Sequence, residues 1–214
     1  MKSVIFFGDS ITEGANSTID FVEYLSRGRS TPGVMNATYN VAVSGTTIGE
    51  YSIYPVDGNS LSALYPKTDL KNFDTIFLEY GVNDVSSIMC GFTTLDKVII
   101  SFVKAIDGIK QCTDADIKFL ALSTDYGIIN KYAQLQCDYL SNDYFKGYKF
   151  QFPPNIWASN YEKLIRAVSK RVDVIPMIED VKFFDKNAET ISVDNLHPNS
   201  KGHYIIAENI SKYI

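Results

Sequence analysis

A serine, a histidine and an aspartate stand where they could form a nucleophilic site. Ser10 follows an apolar run, residues 4–7, and the glycine Gly8, so it lies where a buried strand ends and the backbone turns sharply. A serine in this position can act as a nucleophile if the chain also supplies a base and donors for an oxyanion. Taken alone, Gly8-Asp9-Ser10 is as well explained by an ordinary turn that caps the next helix.

The candidate base is His197, because the chain contains only two histidines and His203 falls within the last predicted helix. Asp194 stands three residues before His197, a spacing that puts both on one side of a tight turn. Asp194 could then bind one ring nitrogen and leave the other for Ser10. The alternative is a hydrogen bond within the loop that carries no chemistry.

A metal site built from both histidines and Asp194 is a weaker hypothesis. The two histidines are six positions apart, which does not match the usual helical pair of ligands one turn apart. We therefore expect no metal and no cofactor.

Three groups are candidate donors to an oxyanion: the backbone amides of Ser10 and Gly45 and the side-chain amide of Asn83. Gly45 has no Cβ to block a ligand from its amide, and Gly81 permits the turn that presents Asn83. Asp84 is expected to brace that turn. Each has a plainer explanation: loop geometry alone would account for Gly45, and the capping of a helical turn would account for Asn83.

Strands alternate with helices along the chain, which predicts a parallel sheet covered by helices on both faces. Strands are predicted at residues 4–7, 38–43, 74–80, 117–122 and 171–177. The carboxyl ends of parallel strands share one edge of the sheet, so Ser10, Gly45, Asn83 and the segment 126–157 are expected to converge there. A single domain over residues 1–214 is predicted, with an aromatic-rich insertion or lid at about 126–157.

The four motifs together resemble the SGNH hydrolases, also called the GDSL esterase/lipase family. They are Gly8-Asp9-Ser10, Ser44-Gly45, Gly81-Val82-Asn83-Asp84 and Asp194-x-x-His197-Pro198, in the family's order. The resemblance implies a flavodoxin-like three-layer fold with a five-stranded parallel sheet. It also implies Ser10 as nucleophile, His197 as base, Asp194 as its orienter, and Ser10, Gly45 and Asn83 as oxyanion donors. Ser44-Gly45-Thr46-Thr47 departs slightly from the common form of the second motif.

Composition excludes several other classes of protein. The net charge of −5, without a basic run, argues against nucleic-acid binding and gives no attraction to anionic membranes. No apolar run approaches the roughly 18 residues of a membrane span, so no integral membrane association is expected. No signal peptide is visible, which favours a cytoplasmic location and leaves secretion open if a leader has been removed. The oligomeric state is not indicated.

The three cysteines, Cys90, Cys112 and Cys137, show no Cys-x-x-Cys spacing. We expect buried free thiols in a reducing compartment.

The segment 126–157 is the best clue to the substrate. It carries a high density of aromatic side chains: Tyr126, Tyr132, Tyr139, Tyr144, Phe145, Tyr148, Phe150, Phe152 and Trp157. Tyrosine and tryptophan suit sugar rings, which favours a carbohydrate O-acetyl esterase with Tyr126, Tyr132 and Trp157 among its substrate contacts. The rings could instead pack the segment onto the domain. The alternatives for function are a lysophospholipase or thioesterase-type acyl hydrolase and, less favoured, a non-catalytic carbohydrate-binding relative.

Overall fold

The structure is a computed structural model that describes residues 3–27, 37–54, 58–141, 153–185 and 188–214. At its centre is a sheet of five parallel strands in the order β2-β1-β3-β4-β5. The strands are β1 (Ser3–Gly8), β2 (Ala37–Asn40), β3 (Thr75–Glu79), β4 (Asp116–Ala121) and β5 (Asp173–Pro176).

Helices surround the sheet. They are α1 (Ser10–Glu13), α2 (Phe21–Ser26), α3 (Leu61–Leu64), α4 (Val82–Met89), α5 (Leu95–Cys112), α6 (Tyr126–Tyr139), α7 (Pro154–Val168) and α8 (Ser200–Ser211), with short 3₁₀ turns at Tyr65–Lys67 and Leu70–Asn72. Helices α2 and α8 pack against each other, while α4, α5 and α6 all pack against α7.

Aromatic side chains show that both faces of the sheet are buried. On one face Phe6 stacks on Phe77 with ring centroids 4.8 Å apart, and Phe21 of α2 meets Phe6 edge-on at 5.6 Å. On the other face Phe119 meets Phe102 of α5 at 5.3 Å. The register of β3 with β4 turns Phe119 away from the side that Phe77 occupies, because side chains alternate along a strand. The predicted three-layer α/β fold with a five-stranded parallel sheet is therefore confirmed.

Several predicted elements differ from the structure in detail. The polar run Asn16-Ser17-Thr18 predicts a helix cap, but this prediction is wrong, because Asp20 caps α2 by accepting the amide of Glu23 at 2.8 Å. Helix α4 was expected only as a turn, and it runs from Val82 to Met89. The segment 126–157 contributes α6 and the first turn of α7, and these helices pack together. Its role as a lid stays a prediction.

The cysteines are free, but only one is fully buried. Cys137 is buried in α6, Cys90 is partly exposed and Cys112 is exposed at the end of α5. The expectation that all three are buried thiols is wrong, because Cys112 lies in the last turn of a surface helix.

His203 is a buried histidine in α8, packed at 6.1 Å from the ring of Phe21. Neither ring nitrogen has a hydrogen-bond partner within the described residues. Burial, together with the nearby His197, lowers the pKa of His203 to about 4. The neutral form is thus the one that the folded state prefers, in keeping with the structural role expected for this residue.

We predict that His203 makes the fold less stable in acid. Its folded-state pKa lies below the unfolded value near 6.5, so its contribution is complete above pH 6.5 and is lost as the pH falls towards 4. Below that window the loss is on the order of 3 kcal/mol. Chemical unfolding of wild type and His203→Leu between pH 4 and 7.5 measures it, because the difference between the two proteins isolates this group from the other titrating residues. Parallel pH profiles for the two proteins would contradict the prediction.

Candidate active site

Ser10 is the first residue of α1 and lies directly beyond the carboxyl end of β1. Asp9 caps the helix, and its Oδ1 accepts the amide of Ile11 at 3.0 Å. The turn is so tight that a Cβ on Gly8 would lie 2.4 Å from Oγ1 of Thr12. The glycine is therefore required by the close approach of β1 to the helix that carries Ser10.

Ser10, His197 and Asp194 form a continuous hydrogen-bonded chain. His197 Nε2 lies 2.8 Å from Ser10 Oγ, and His197 Nδ1 lies 2.5 Å from Asp194 Oδ2. The histidine side chain is 14% exposed, so it is shielded but open towards the cavity over Ser10. If Nδ1 carries the ring proton, Nε2 is free to accept the proton of the serine hydroxyl.

Asp194 is held by more donors than the histidine alone. Ser192 Oγ donates to its Oδ1 at 2.5 Å, and the amides of Leu196 and His197 donate to the same oxygen at 3.0 Å. Partial burial acts to raise the pKa of Asp194, but these hydrogen bonds and that of His197 outweigh it and hold the pKa well below its usual range. The carboxylate stays ionised beside His197.

Residues 16–18 join the segment that follows Ser10 to the loop that carries Asp194 and His197. Asn16 Nδ2 donates to Asp194 Oδ2 at 2.7 Å, and Asn16 has a positive φ of 62°, a conformation that asparagine tolerates better than most residues. The hydroxyls of Ser17 and Thr18 lie 3.1 Å and 2.8 Å from that of Ser200 at the start of α8. Parts of the chain nearly 180 residues apart are thereby fixed against each other.

Gly45 and Asn83 face the same cavity as Ser10. Gly45 has a φ of 78°, and a Cβ there would meet Tyr54 at 2.9 Å. Asn83 is the second residue of α4, and its Nδ2 lies 3.0 Å from the carbonyl oxygen of Thr46 and 3.2 Å from Asp9 Oδ2. The structure thus brings the three predicted donor residues to one place.

Asp84 braces this edge of the sheet, as expected. Its carboxylate accepts the amides of Gly81 and Ile48, each at 3.1 Å, and the hydroxyl of Tyr51 at 2.7 Å. The loop after β2 is thereby tied to the loop after β3. Burial raises the pKa of Asp84 to about 6, although the bonds from Tyr51 and the two amides oppose that shift.

Two cavities meet at Tyr139. The smaller, of about 180 Å³, lies over Ser10 and His197 and is also lined by Tyr54, Tyr132 and Gln136. The larger, of about 510 Å³, extends past Asp194. Aromatic and acidic side chains share its wall: Tyr139, Phe184, Asp138, Asp185 and Glu189.

The three residues of the aromatic segment that were expected to contact the substrate lie in different environments. Tyr132 is 1% exposed and lines the smaller cavity. The prediction that Trp157 contacts the substrate is wrong, because this residue is fully buried. Its Nε1 donates to Ser86 Oγ, and its ring stacks on Tyr161 in the core. Tyr126 is 46% exposed at the start of α6 and lines neither cavity. Tyr144, Phe145, Tyr148, Phe150 and Phe152 lie outside the described residues.

Several residues at the site were not singled out from the sequence. Asn16, Tyr54, Gln136 and Glu79 reach it through long-range contacts that leave no local pattern. The one signal available was the position of Glu79 at the end of a buried strand, where a carboxylate is costly unless hydrogen-bonded.

Comparison with family models identifies the class of protein. Residues 4–210 match the GDSL-like lipase/acylhydrolase family. The chain belongs to this family and is a carboxylic ester hydrolase of the GDSL type. A search of curated proteins gave no match.

Solved structures with the same fold include three with named activities. An acetylxylan esterase from Geobacillus stearothermophilus is 15% identical, with a TM-score of 0.65 over 99% of this chain and 93% of its own. A lipase from a goat rumen metagenome is also 15% identical, with a TM-score of 0.63 over 99% and 97%. The esterase EstA from Pseudoalteromonas is 14% identical, with a TM-score of 0.62 over 100% and 98%. At these identities the likeness establishes the fold.

Two features are absent from the described residues, a membrane-spanning helix and a cluster of metal ligands. No helix there is long and apolar enough to cross a membrane. The same residues hold no group of three or more histidine, cysteine, aspartate or glutamate side chains suited to a metal ion.

We predict that Asn16→Gly lowers kcat for ester hydrolysis by about tenfold, because it removes a donor to a charged carboxylate, worth roughly 1.5–3 kcal/mol. Glycine keeps the positive φ, so the loss reports the missing side chain alone. Steady-state kinetics measure it, with Asn72→Gly as the matched control. Asn72 donates to Asp69 at 2.8 Å on the exposed surface, away from the site. Equal effects of the two substitutions would contradict a role for Asn16.

Proposed function

We propose that this protein hydrolyses carboxylic esters through an acyl-enzyme, with Ser10 as nucleophile, His197 as general base and Asp194 as the residue that orients the imidazole. The observation that carries the proposal is the chain of contacts from Ser10 Oγ to His197 Nε2 at 2.8 Å and from Nδ1 to Asp194 at 2.5 Å. These are the distances that proton transfer between the groups requires.

In the first half of the reaction, Ser10 Oγ attacks the ester carbonyl while His197 Nε2 takes the hydroxyl proton. The tetrahedral intermediate collapses as the imidazolium gives that proton to the leaving alcohol, and the acyl group stays on Ser10. Water then attacks the acyl-enzyme with His197 again as base, releasing the acid and regenerating the serine. The amides of Ser10 and Gly45 and the side chain of Asn83 are proposed to stabilise both oxyanions.

For the substrate, we favour acetyl esters of carbohydrates. The cavity over Ser10 is small, about 180 Å³, which suits a short acyl group better than a long chain. The adjoining cavity of about 510 Å³ combines the rings of Tyr139 and Phe184 with carboxylates. Such walls suit a sugar, whose ring has an apolar face and whose hydroxyls donate hydrogen bonds.

Aromatic side chains that line the two cavities support this substrate class. Trp157 lies in the core and Tyr126 lines neither cavity, so of the three expected contacts Tyr132 remains, together with Tyr139 of α6 and Tyr54. The acetylxylan esterase and the lipase that share the fold show that the fold alone does not select the acyl donor.

We expect a fluorophosphonate probe to label wild type and to leave Ser10→Ala unlabelled, because the probe reacts only with an activated serine. Wild type without labelling would favour a non-catalytic carbohydrate-binding protein. Labelling that survives Ser10→Ala would show that the nucleophile is another residue.

The base is tested by its own pair of variants. His197→Ala is expected to lower kcat by roughly 10³-fold or more, whereas His203→Leu, which removes a histidine outside the cavity, is expected to change it little. Equal losses in the two variants would contradict the assignment.

We predict higher kcat/KM for acetylated xylo-oligosaccharides than for lysophospholipids or acyl thioesters with eight-carbon chains. The small cavity over Ser10 limits the acyl group, and the larger polar cavity accepts the alcohol. Initial rates measured at equal substrate concentrations across acyl lengths of two to ten carbons test this. Faster turnover of the longer chains would make the protein a lipid or thioester acyl hydrolase instead.

A further inference from the structure

We propose that Glu79 is a positioning residue that shares one proton with the carboxyl group of Asp9, so that the side-chain amide of Asn83 does not face a full negative charge and stays available to the oxyanion. The proposal rests on the proposed function, because it concerns the environment of the same oxyanion site.

Glu79 is the last residue of β3 and is fully buried. Its Oε2 accepts the hydroxyl of Thr12 at 3.1 Å and the backbone amide of Asp9 at 3.3 Å. Both donors belong to the turn that carries Ser10, one on each side of it. Glu79 therefore fixes the nucleophile turn of β1 to the neighbouring strand.

Asp9 connects this glutamate to the oxyanion donors. Its side chain is 1% exposed, Oδ1 accepts the amide of Ile11, and Oδ2 lies 3.2 Å from Asn83 Nδ2. The carboxyl group is also within hydrogen-bonding distance of that of Glu79. One side chain thus touches both the glutamate of β3 and the asparagine proposed to bind the oxyanion.

Two carboxylates in contact and out of reach of water repel each other strongly, so such a pair retains one proton. The hydrogen bonds of Glu79 agree with such a proton. Oε1 of Glu79 is buried and has no donor among the described residues unless the pair itself supplies one. A proton shared by the two carboxyl groups supplies a hydrogen bond between them, whereas two carboxylates would leave Oε1 unpaired.

The ionisation behaviour of the pair agrees with a shared proton. Burial, and then the charge of Glu79, raise the pKa of Asp9 well above its usual range. Burial also raises the pKa of Glu79, but the hydrogen bonds from Asp9 and Thr12 oppose that shift. The other titratable groups that interact with the pair are Asp84 of α4, His197, Tyr80 at the end of β3, Tyr132 of α6 and Tyr161 of α7.

The shared proton matters for catalysis because a full charge on Asp9 would oppose the oxyanion. A fully ionised Asp9 would hold one amide hydrogen of Asn83 strongly while Thr46 holds the other, at 3.0 Å. It would also place negative charge beside the position where negative charge develops in the transition state. A proton shared with Glu79 weakens both effects.

The kinetic test compares Glu79→Gln, Asp9→Asn and the double variant. Glu79→Gln removes the group with which Asp9 shares its proton, so Asp9 ionises; we expect kcat to fall roughly 10- to 100-fold with KM changed less than threefold. Asp9→Asn keeps a neutral donor towards Glu79, so it should be at least tenfold more active than Asp9→Ala. The double variant restores a neutral group at position 9 and should be more active than Glu79→Gln alone.

That last ordering separates the proposal from a merely structural role, in which a second buried substitution would add to the damage of the first. Asp125→Asn is the matched control, since this carboxylate caps α6 by accepting the amides of Gly127 and Ile128 and lies outside the cavity over Ser10. A double variant that is less active than Glu79→Gln, with melting temperatures that show all proteins folded, would overturn the proposal.

A second readout does not depend on activity. At pH 7.5 we expect the infrared spectrum of wild type to contain a protonated-carboxyl band that is absent from Asp9→Asn and retained in Asp125→Asn. Identical carboxyl bands in wild type and Asp9→Asn would contradict a proton shared by Asp9 and Glu79. If wild type shows the band but hydrolyses none of the esters tested, the proposed function fails while the shared proton of the pair stands.

Discussion

The site depends on one constraint, the common carboxyl edge of a five-stranded parallel sheet. Strands β1 and β3 are adjacent, so Ser10 after the first and Asn83 after the third emerge side by side although 73 positions separate them. The loop after β2 joins them because the amide of Val43 donates to the carbonyl of Gly8 at 3.0 Å. A one-residue change of register would turn the side chains of a strand to the other face of the sheet and displace the group that follows it.

The edge carries an unusual amount of buried acid, and each carboxyl group is stabilised in its own way. Asp84 remains compatible with a negative charge because three donors converge on it. Asp194 is more exposed and stays ionised through the donors of its own loop and through Asn16. Asp9 and Glu79 have too few donors for two charges, so sharing a proton is the arrangement that lets both remain buried. The number of hydrogen-bond donors around each carboxyl group therefore decides how much negative charge it carries near Ser10.

The loop that carries His197 is held at the sheet edge by contacts that the local sequence does not predict. Residues 16–18 read as a helix cap, because serine, threonine and asparagine favour that position, and Asp20 takes the role instead. What the three residues do is bind Asp194 and Ser200. Their polar side chains are equally suited to either task, and only the approach of the chain's last loop to its first decides between them. Trp157 is a similar case, because its side chain is suited to a binding surface but packs in the core.

The sequence by itself determined the fold class and the identity of the groups at the edge, because both depend on local patterns. Alternating apolar strands and amphipathic helices require a parallel sheet, and a parallel sheet brings the ends of its strands together. Only the tertiary structure decided which partners each group has. The contact of Glu79 with Asp9, the bond of Asn16 to Asp194 and the cavities at Tyr139 all join residues far apart in the chain. Hydrogen bonds and burial depend on distances of a few tenths of an ångström, and these are set by how the layers pack and not by any pattern within one segment.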